Sequence, residues 1–359
     1  MAVVDFFSGC GGFSLGAHQA GFDVAAAFDI DPILTSSYSK NFPGTKLHRV
    51  DLSRAGGEQI RKLAGVQIDG IIGGPPCQGF SSIGRRSPTD MRRELLFHYF
   101  RLVSEIRPSF FVMENVRGLT EGGNRTLLDD CLKLVTSAYH VTEPLVLDAA
   151  DFGAATARRR VFVAGVRKGD ASALSETSLS TGNAAAASVK AAIGDLQCVR
   201  ALGSKDGFDW WKISTPGRAS AYARRLRSPD GTFTGNLRTA HTYEILRRFS
   251  RLPQGGKDKV GRYPRLSWDG LCPTLRAGTG NDRGSYQSVR PVHPEADRVI
   301  TVREAARLQG FPDWHLFHPT IWHSFRMVGN SVSPFVADHV LGCIACHMPW
   351  LLPVAEAAE

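Results

Sequence analysis

The sequence predicts an α/β protein with a doubly wound, mostly parallel sheet and a second, smaller domain. Three observations point there. Short β-prone runs alternate with amphipathic stretches of helical length through the first 116 residues. Each unusual cluster of residues in that region falls where a β-prone run ends, which is where open parallel sheets bind their ligands. From about residue 168 the composition turns small, polar and then basic and glycine-punctuated, as in KGDASALSETSLSTGNAAAAS and GGKDKVGRYPRL.

Taken in order, AVVDFF (2–7) reads as the first strand and FSLGAHQAG as the helix after it. VAAAFD (24–29) reads as a second strand, with a helix predicted from Pro32 through DPILTSSYSKNF. HRVD closes a third strand at Asp51, and IDGIIGG (68–74) is a fourth, ending in a proline turn. ELLFHYFRLVSEI (94–106) carries helical periodicity, SFFVMENV (109–116) is a buried strand, and ATARRRVFVAGV (155–166) is another. The boundaries expected are a first domain at 1–170 completed by 326–359, a second at 171–300 and a hinge at 301–325.

The chain has 359 residues, 43% of them hydrophobic and 21% charged, an ordinary globular balance. A formal net charge of +9 favours an anionic partner such as nucleic acid. Seven scattered cysteines suit no disulfide framework and point to a reducing compartment. MAVVDFF lacks a basic leader and no apolar run reaches membrane-spanning length, so the expectation is a cytoplasmic protein.

Five strand ends carry chemistry. DFFSGCGGFSLG (5–16) places Gly9, Gly11 and Gly12 between a strand and a helix start, where backbone amides can approach a ligand; its spacing is not that of a pyrophosphate loop, and an ordinary tight turn is the alternative. Asp29 lies 20 residues beyond Gly9, where a nucleoside-binding fold holds ribose hydroxyls, and Asp31 is read as a cap. Asp51 is read either as an acceptor for an adenine amino group or as a cap. GGPPCQGFS (73–81) presents Cys77 behind two prolines that stiffen the turn, with Arg85 and Arg86 close enough in sequence to favour a thiolate.

MENV (113–116) ends an apolar strand in Glu114, where burial should raise a carboxyl pKa. ARRR (157–160) puts Arg158 and Arg160 on one face of an entering strand, with a solvated basic edge as the alternative. CIAC (343–346) lacks a second pair at zinc-site spacing, so its cysteines read as helix packing and no metal is expected. Trp210 and Trp211 read as core residues rather than as base-stacking ones.

DFFSGCGGFSLG, GGPPCQGFS, MENV, ARRRVFVAG, VREAARLQGFPD (302–313) and VGNSVSP (328–334) together resemble, in order, the motif set of the DNA cytosine-5 methyltransferases. The resemblance spans nearly the whole chain, and it makes the first domain the catalytic and the second the target recognition domain. It implies a Rossmann-like fold, S-adenosylmethionine as cofactor and a cytosine flipped out of double-stranded DNA as substrate. It makes Cys77 the nucleophile, Glu114 the group at ring N3, Arg160 with Arg158 nearby the ligands of the base oxygen, and Asn115 a brace for the loop. For the cofactor it implies Phe7 on the adenine, Ser8, Gly9 and Gly11 in the loop, and Asp29 with Ile30 at the ribose. Asp51 with Leu52, then Pro75 and Leu95, complete the near wall, while Asn330 and Ser331 secure the methionine end, which requires the last helix to return beside the first strand.

Ser81, Arg85, Arg86, Arg276 and Arg283 are the implied DNA contacts. A monomer is expected, acting as an orphan or alongside a cognate restriction endonuclease. Three residues depart from the family pattern: Thr156 in place of glutamine, Ile30 in place of tryptophan, and Asp29 in place of glutamate. Two rival readings stay open, the same chemistry on RNA and a catalytically silent DNA-binding module.

Overall fold

The computed structural model describes residues 1–76, 94–182, 184–214, 219–277 and 290–348. In chain order the strands are β1 (Ala2–Phe6), β2 (Asp23–Asp29), β3 (Lys46–Arg49), β4 (Gly70–Gly73), β5 (Phe110–Val116), β6 (Tyr139–Val141), β7 (Leu145–Asp148), β8 (Thr156–Ala157), β9 (Arg159–Arg167), β10 (Val199–Lys205), β11 (Phe208–Ile213), β12 (Thr232–Thr234) and β13 (Cys272–Pro273). The helices are α1 (Gly12–Gln19), α2 (Tyr38–Asn41), α3 (Gly57–Ala64), α4 (Glu94–Ile106), α5 (Gly123–Leu132), α6 (Glu176–Ser180), α7 (Val189–Ile193), α8 (Ala221–Leu226), α9 (Tyr243–Ser250), α10 (Val302–Gln309), α11 (Ile321–Asn330) and α12 (Pro334–His347).

Two compact units form. The first gathers Met1–Leu147, Arg159–Thr181 and Val336–Glu359, and the second Asp148–Arg158 and Gly182–Phe335. The main sheet of the first runs β3-β2-β1-β4-β5-β9-β6, with β7 also on β9. Pairs from β3 to β5 are parallel, whereas β9 runs antiparallel to both β5 and β6. The strand order reverses direction between β1 and β4, so the crevice expected of a doubly wound sheet opens at their carboxyl ends.

Helix α4 shows why the local sequence folds as it does. Leu96, Tyr99, Phe100, Val103 and Ile106 recur at helical spacing and are all buried. They meet alternate residues of the strands, Phe6, Phe28, Ile71, Phe111 and Met113, in one core. Edge-to-face contacts of Phe6 with Phe28 (5.6 Å) and of Phe100 with Phe111 (5.8 Å) fix the packing. Burial on this scale, at about 2 kcal/mol per large side chain, holds the sheet rigid beneath its loops.

Three expectations change. The helix predicted from Pro32 does not form: residues 32–37 are turns and only α2 is helical. Thr35 N and Oγ1 both donate to Asp31 O, at 3.2 and 2.8 Å, but Ser36 N and Tyr38 N bond three residues back, to Ile33 O and Thr35 O, so the turns do not join into an α-helix. The strand predicted through 155–166 breaks at Arg158, whose N–H donates to Asp148 Oδ1 at 2.8 Å. The linker-like stretch after residue 168 contains α6, capped by Ser175 Oγ accepting from Ser178 N.

Within the first unit α12 is tied to the chain around α6. His339 Nε2 lies 3.1 Å from Ser178 O and His347 Nε2 lies 2.9 Å from Ser172 O. On α12 Cys343 is half-buried, but Cys346 is exposed and packs no core, contrary to the packing role predicted for it. No helix among the described residues is long and apolar enough to cross a membrane.

The second unit holds the antiparallel sheet β10-β11-β12 and the helices α7 to α11. Trp210 and Trp211 are half-buried on β11, and Trp211 Nε1 donates to Asp209 Oδ2 at 2.8 Å. Helix α10 opens with a capping box, Thr301 to Glu304, and ends at Gly310 with φ 98°. Its buried Arg307 forms a two-pronged pair with Asp313, both bonds 2.7 Å, and Arg303 spends its donors on the carbonyls of Thr234, Pro312 and His315.

Candidate active site

The register of the main sheet assembles the site. Phe28 pairs with Phe6, Phe6 with Gly73 and Gly73 with Met113, so one row crosses four strands. Their successors, Asp29, Phe7, Gly74 and Glu114, therefore emerge together at the carboxyl end of the sheet.

Phe7 adopts φ 58°, a left-handed conformation that costs a bulky side chain about 1–2 kcal/mol. The turn is held by Phe28 O, which accepts from Phe7 N (2.8 Å) and Ser8 N (3.3 Å). Gly9 N then donates to Asp29 Oδ2 at 2.8 Å, and Asp29 Oδ1 accepts from Asp31 N at 2.9 Å. Burial pushes the Asp29 carboxyl above the usual range, partly opposed by these amides. Asp31 caps the turn after it, accepting from Ile33 N and Leu34 N.

Two features of this loop suit a bound polar molecule. Ser8 Oγ is buried with no hydrogen-bond partner among the described residues. At Gly9, φ 51°, a Cβ would meet nothing within 4 Å, so the backbone faces open space. Gly11, φ 86°, differs: a Cβ there would strike the rings of Phe42 and Tyr38. Ile30 is 64% exposed beside Asp29. Asp51 turns inward on its own loop, Oδ1 accepting from Ser53 N (3.0 Å) and Ser53 Oγ (2.7 Å), which holds its carboxyl below the usual range. Leu52 is buried and Leu95 half-buried.

On the other side of the crevice, Glu114 is 7% exposed and its Oε1 lies 3.1 Å from Arg160 Nε. The antiparallel register sets Arg160 opposite Val116 and Phe162 opposite Glu114, which makes Glu114 and Arg160 diagonal neighbours on one face. Asn115 Nδ2 donates to Pro75 O at 3.1 Å, while its Oδ1 accepts from Val116 N at 2.9 Å. A Cβ on Gly74 would stand 3.3 Å from Glu114 Oε2, so a glycine lets the proline turn pass close over the acid.

Cys77, Ser81, Arg85, Arg86 and Arg283 lie outside the described residues. Among the described cysteines, burial pushes the Cys10 thiol up to about 12 and the Cys131 thiol to about 11, which leaves neither suited to act as a thiolate.

In the second unit Asn330 is exposed at the end of α11 and Ser331 is buried. Ser331 Oγ accepts from Gln309 Nε2 at 2.7 Å and donates to Val328 O at 2.8 Å. Gln309 was not singled out from the sequence; the signal available was an amide in the stretch VREAARLQGFPD, where a fully buried side chain must find polar partners. Arg276 is exposed. Thr156, in place of glutamine, is buried and donates to Cys272 O at 3.0 Å. Arg158 and Arg160 do not form the pair the alternation predicted: Arg158 is 2% exposed and its guanidinium bonds three main-chain carbonyls of its own unit. No group of three or more His, Cys, Asp or Glu among the described residues is arranged to hold a metal.

The comparisons with known proteins agree in direction. Residues 1–346 match the model of the C-5 cytosine-specific DNA methylases. The Type II methyltransferase M.XorII of Xanthomonas oryzae pv. oryzae is 42% identical over 360 residues, covering 95% of this chain and 84% of that one. The Type II methyltransferase M.MthTI of Methanothermobacter thermautotrophicus is 29% identical, covering 95% and 96%. Among solved structures, an E. coli prophage protein described as a candidate DNA modification methyltransferase superposes with a TM-score of 0.84 at 37% identity, covering 97% of this chain and 99% of that one. The Dnmt2 methyltransferase of S. pombe, at 17% identity and a TM-score of 0.62, shares the fold.

Proposed function

Because the chain belongs to the C-5 cytosine-specific DNA methylase family, we propose that it methylates carbon 5 of a cytosine flipped out of a specific duplex site, through a covalent bond to Cys77. The observation that carries this is the Glu114–Arg160 pair, 3.1 Å apart at the carboxyl end of β5, beside the proline turn that Asn115 holds two residues before Cys77.

Carbon 5 of cytosine is a weak nucleophile, so attack of the Cys77 thiolate on carbon 6 activates the ring. Glu114 holds a proton at ring N3, which keeps negative charge from building up as the sulfur–carbon bond forms. Arg160 ties down Glu114 and offers its remaining N–H groups to the base oxygen. S-adenosylmethionine, when bound, supplies the methyl group as a sulfonium. Water then takes the carbon 5 proton, the electron pair returns to the ring, and the bond to Cys77 breaks.

The unpartnered Ser8 Oγ, the open backbone at Gly9 and the acid at Asp29 fit an adenosyl amino acid. Phe7 takes the adenine, Asp29 and Ile30 the ribose, Asp51 and Leu52 the adenine edge, with Gly11, Pro75 and Leu95 completing the wall. Asn330 and Ser331 are assigned to the methionine end by the resemblance. Ser81, Arg85, Arg86, Arg276 and Arg283 are assigned to DNA. Methylation by Type II relatives supports a cytoplasmic enzyme that protects DNA from a cognate endonuclease.

The test uses duplex DNA from a plasmid grown with the active gene, its methylated site read by bisulfite sequencing. An oligonucleotide carrying that site with 5-fluorocytosine should trap an adduct with the wild type and none with Cys77→Ser. Methyl transfer to tRNA in place of duplex DNA would turn the reading to RNA, and no adduct on any site would favour a silent binding module.

A further inference from the structure

Arg158 stands at the break between β8 and β9, and its buried guanidinium holds two distant segments of the second unit at once. Nη1 donates to Leu275 O at 3.2 Å, and Nη2 donates to Gly329 O at 2.9 Å and Ser331 O at 2.7 Å. The first segment, 272–277, carries exposed Arg276. The second is the end of α11 with the turn after it, carrying Asn330 and Ser331.

These segments also meet backbone to backbone. A Cβ on Gly329 would run into the main chain of Arg276 and Ala277. Further bonds on both sides leave little slack. Cys272 pairs with Thr156 across β13 and β8, and Thr274 Oγ1 donates to Ala157 O at 2.6 Å. On the other side Gln309 Nε2 donates to Val328 O at 2.9 Å and to Ser331 O at 3.1 Å.

We propose that Arg158 is a positioning residue which couples the Arg276 segment to the Asn330–Ser331 turn, so that DNA bound at the first and cofactor bound at the second strengthen one another. This rests on the roles proposed above for those residues. A guanidinium is a rigid planar fork, so carbonyls bonded to one such group must move together; a lysine ammonium cannot span all three in the same geometry. Coupling of this kind is reciprocal, one factor measured from either ligand.

The experiment measures the Kd of the cognate duplex with and without S-adenosylhomocysteine, and the Kd of S-adenosylhomocysteine with and without the duplex. The wild type should show the same mutual tightening from both directions, about 5-fold or more. Arg158→Lys, folded as judged by circular dichroism, should bring that factor toward 1. Methylguanidinium should restore it in Arg158→Ala, which a merely structural loss would not allow.

Thr274→Val removes one hydroxyl bond to the same junction and should lower the factor in part, so the question stays answerable if the Arg158 variants do not fold. An unchanged factor in folded Arg158→Lys, or in Thr274→Val when the arginine variants are lost, overturns the proposal. So does a fall in single-turnover rate with the factor intact, which would put Arg158 at the reacting atoms. A wild type that methylates DNA yet shows no coupling sinks the coupling alone, whereas one that neither methylates duplex DNA nor traps 5-fluorocytosine sinks the functional reading beneath it.

Discussion

Asn115 Nδ2 donates to the carbonyl oxygen of Pro75 across 3.1 Å, joining the end of β5 to the turn that leads to residue 77. Replacing Asn115 with alanine removes that bond while leaving the glycine loop after β1 untouched. A misplacement of about 1 Å at a reacting atom costs on the order of 100-fold in rate. Asn115→Ala should therefore lower the rate of 5-fluorocytosine adduct formation by that order, with the Kd for S-adenosylmethionine unchanged in equilibrium dialysis.

The Glu114–Arg160 pair should act as a unit. Glu114→Gln is expected to lower kcat by about 100- to 10,000-fold, and Arg160→Ala by about 100- to 1,000-fold. Because Arg160 holds Glu114 in place and both act on the same ring, the losses should be less than multiplicative in the double variant. Single-turnover methyl transfer on the cognate duplex checks this, and losses that multiply would show the two to be independent.

Asp5 lies beneath the glycine loop, fully buried, with Ser14 Oγ donating to its Oδ2 at 2.5 Å and Tyr38 Oη 2.6 Å from that hydroxyl. Burial is the main cause that lifts its pKa from 3.8 to about 7. Between pH ~4 and ~7 the folded protein keeps a proton that the unfolded chain has released, so Asp5 lowers stability as pH rises through that window. At about 1.4 kcal/mol per pKa unit the effect is at most about 4 kcal/mol. Asp5→Asn should flatten this part of the profile and gain on the wild type at pH 8 relative to pH 5 in urea unfolding.

Gly11→Ala should destabilise the protein by about 1–3 kcal/mol or more, since it adds a left-handed alanine to a collision with Phe42 and Tyr38. Gly9→Ala shares the positive φ but meets no neighbour within 4 Å. Its stability loss should be smaller and its loss of affinity for S-adenosylmethionine larger. Thermal unfolding and dialysis on the two variants separate these effects.

Much of the sheet, and the placing of Glu114 and Asp29 at its strand ends, could be read from the chain because the signals are local. Helix α4 carries its apolar stripe in thirteen consecutive residues, and its predicted bounds match the observed Glu94–Ile106. Glu114 announces itself as an acid ending an apolar strand, and Asp29 by its distance from the glycine loop. Arg158 could not be read this way, since the carbonyls it bonds lie 117, 171 and 173 residues away. The helix expected at Pro32 does not form because the amides of Ser36 and Tyr38 bond three residues back rather than four, a difference that apolar periodicity does not register. Gln309 was overlooked because an amide on a helix looks like a surface residue until tertiary packing encloses it.

The unit bearing the main sheet is assembled from three separated stretches of chain, the last beginning at Val336. Folding domains generally close as synthesis delivers them, amino end first. Here all the strands leave the ribosome well before α12, whose histidines tie back to Ser172 and Ser178. A nascent chain stalled at residue 330 would thus hold every sheet residue proposed for chemistry while still lacking the last stretch of the unit that carries them.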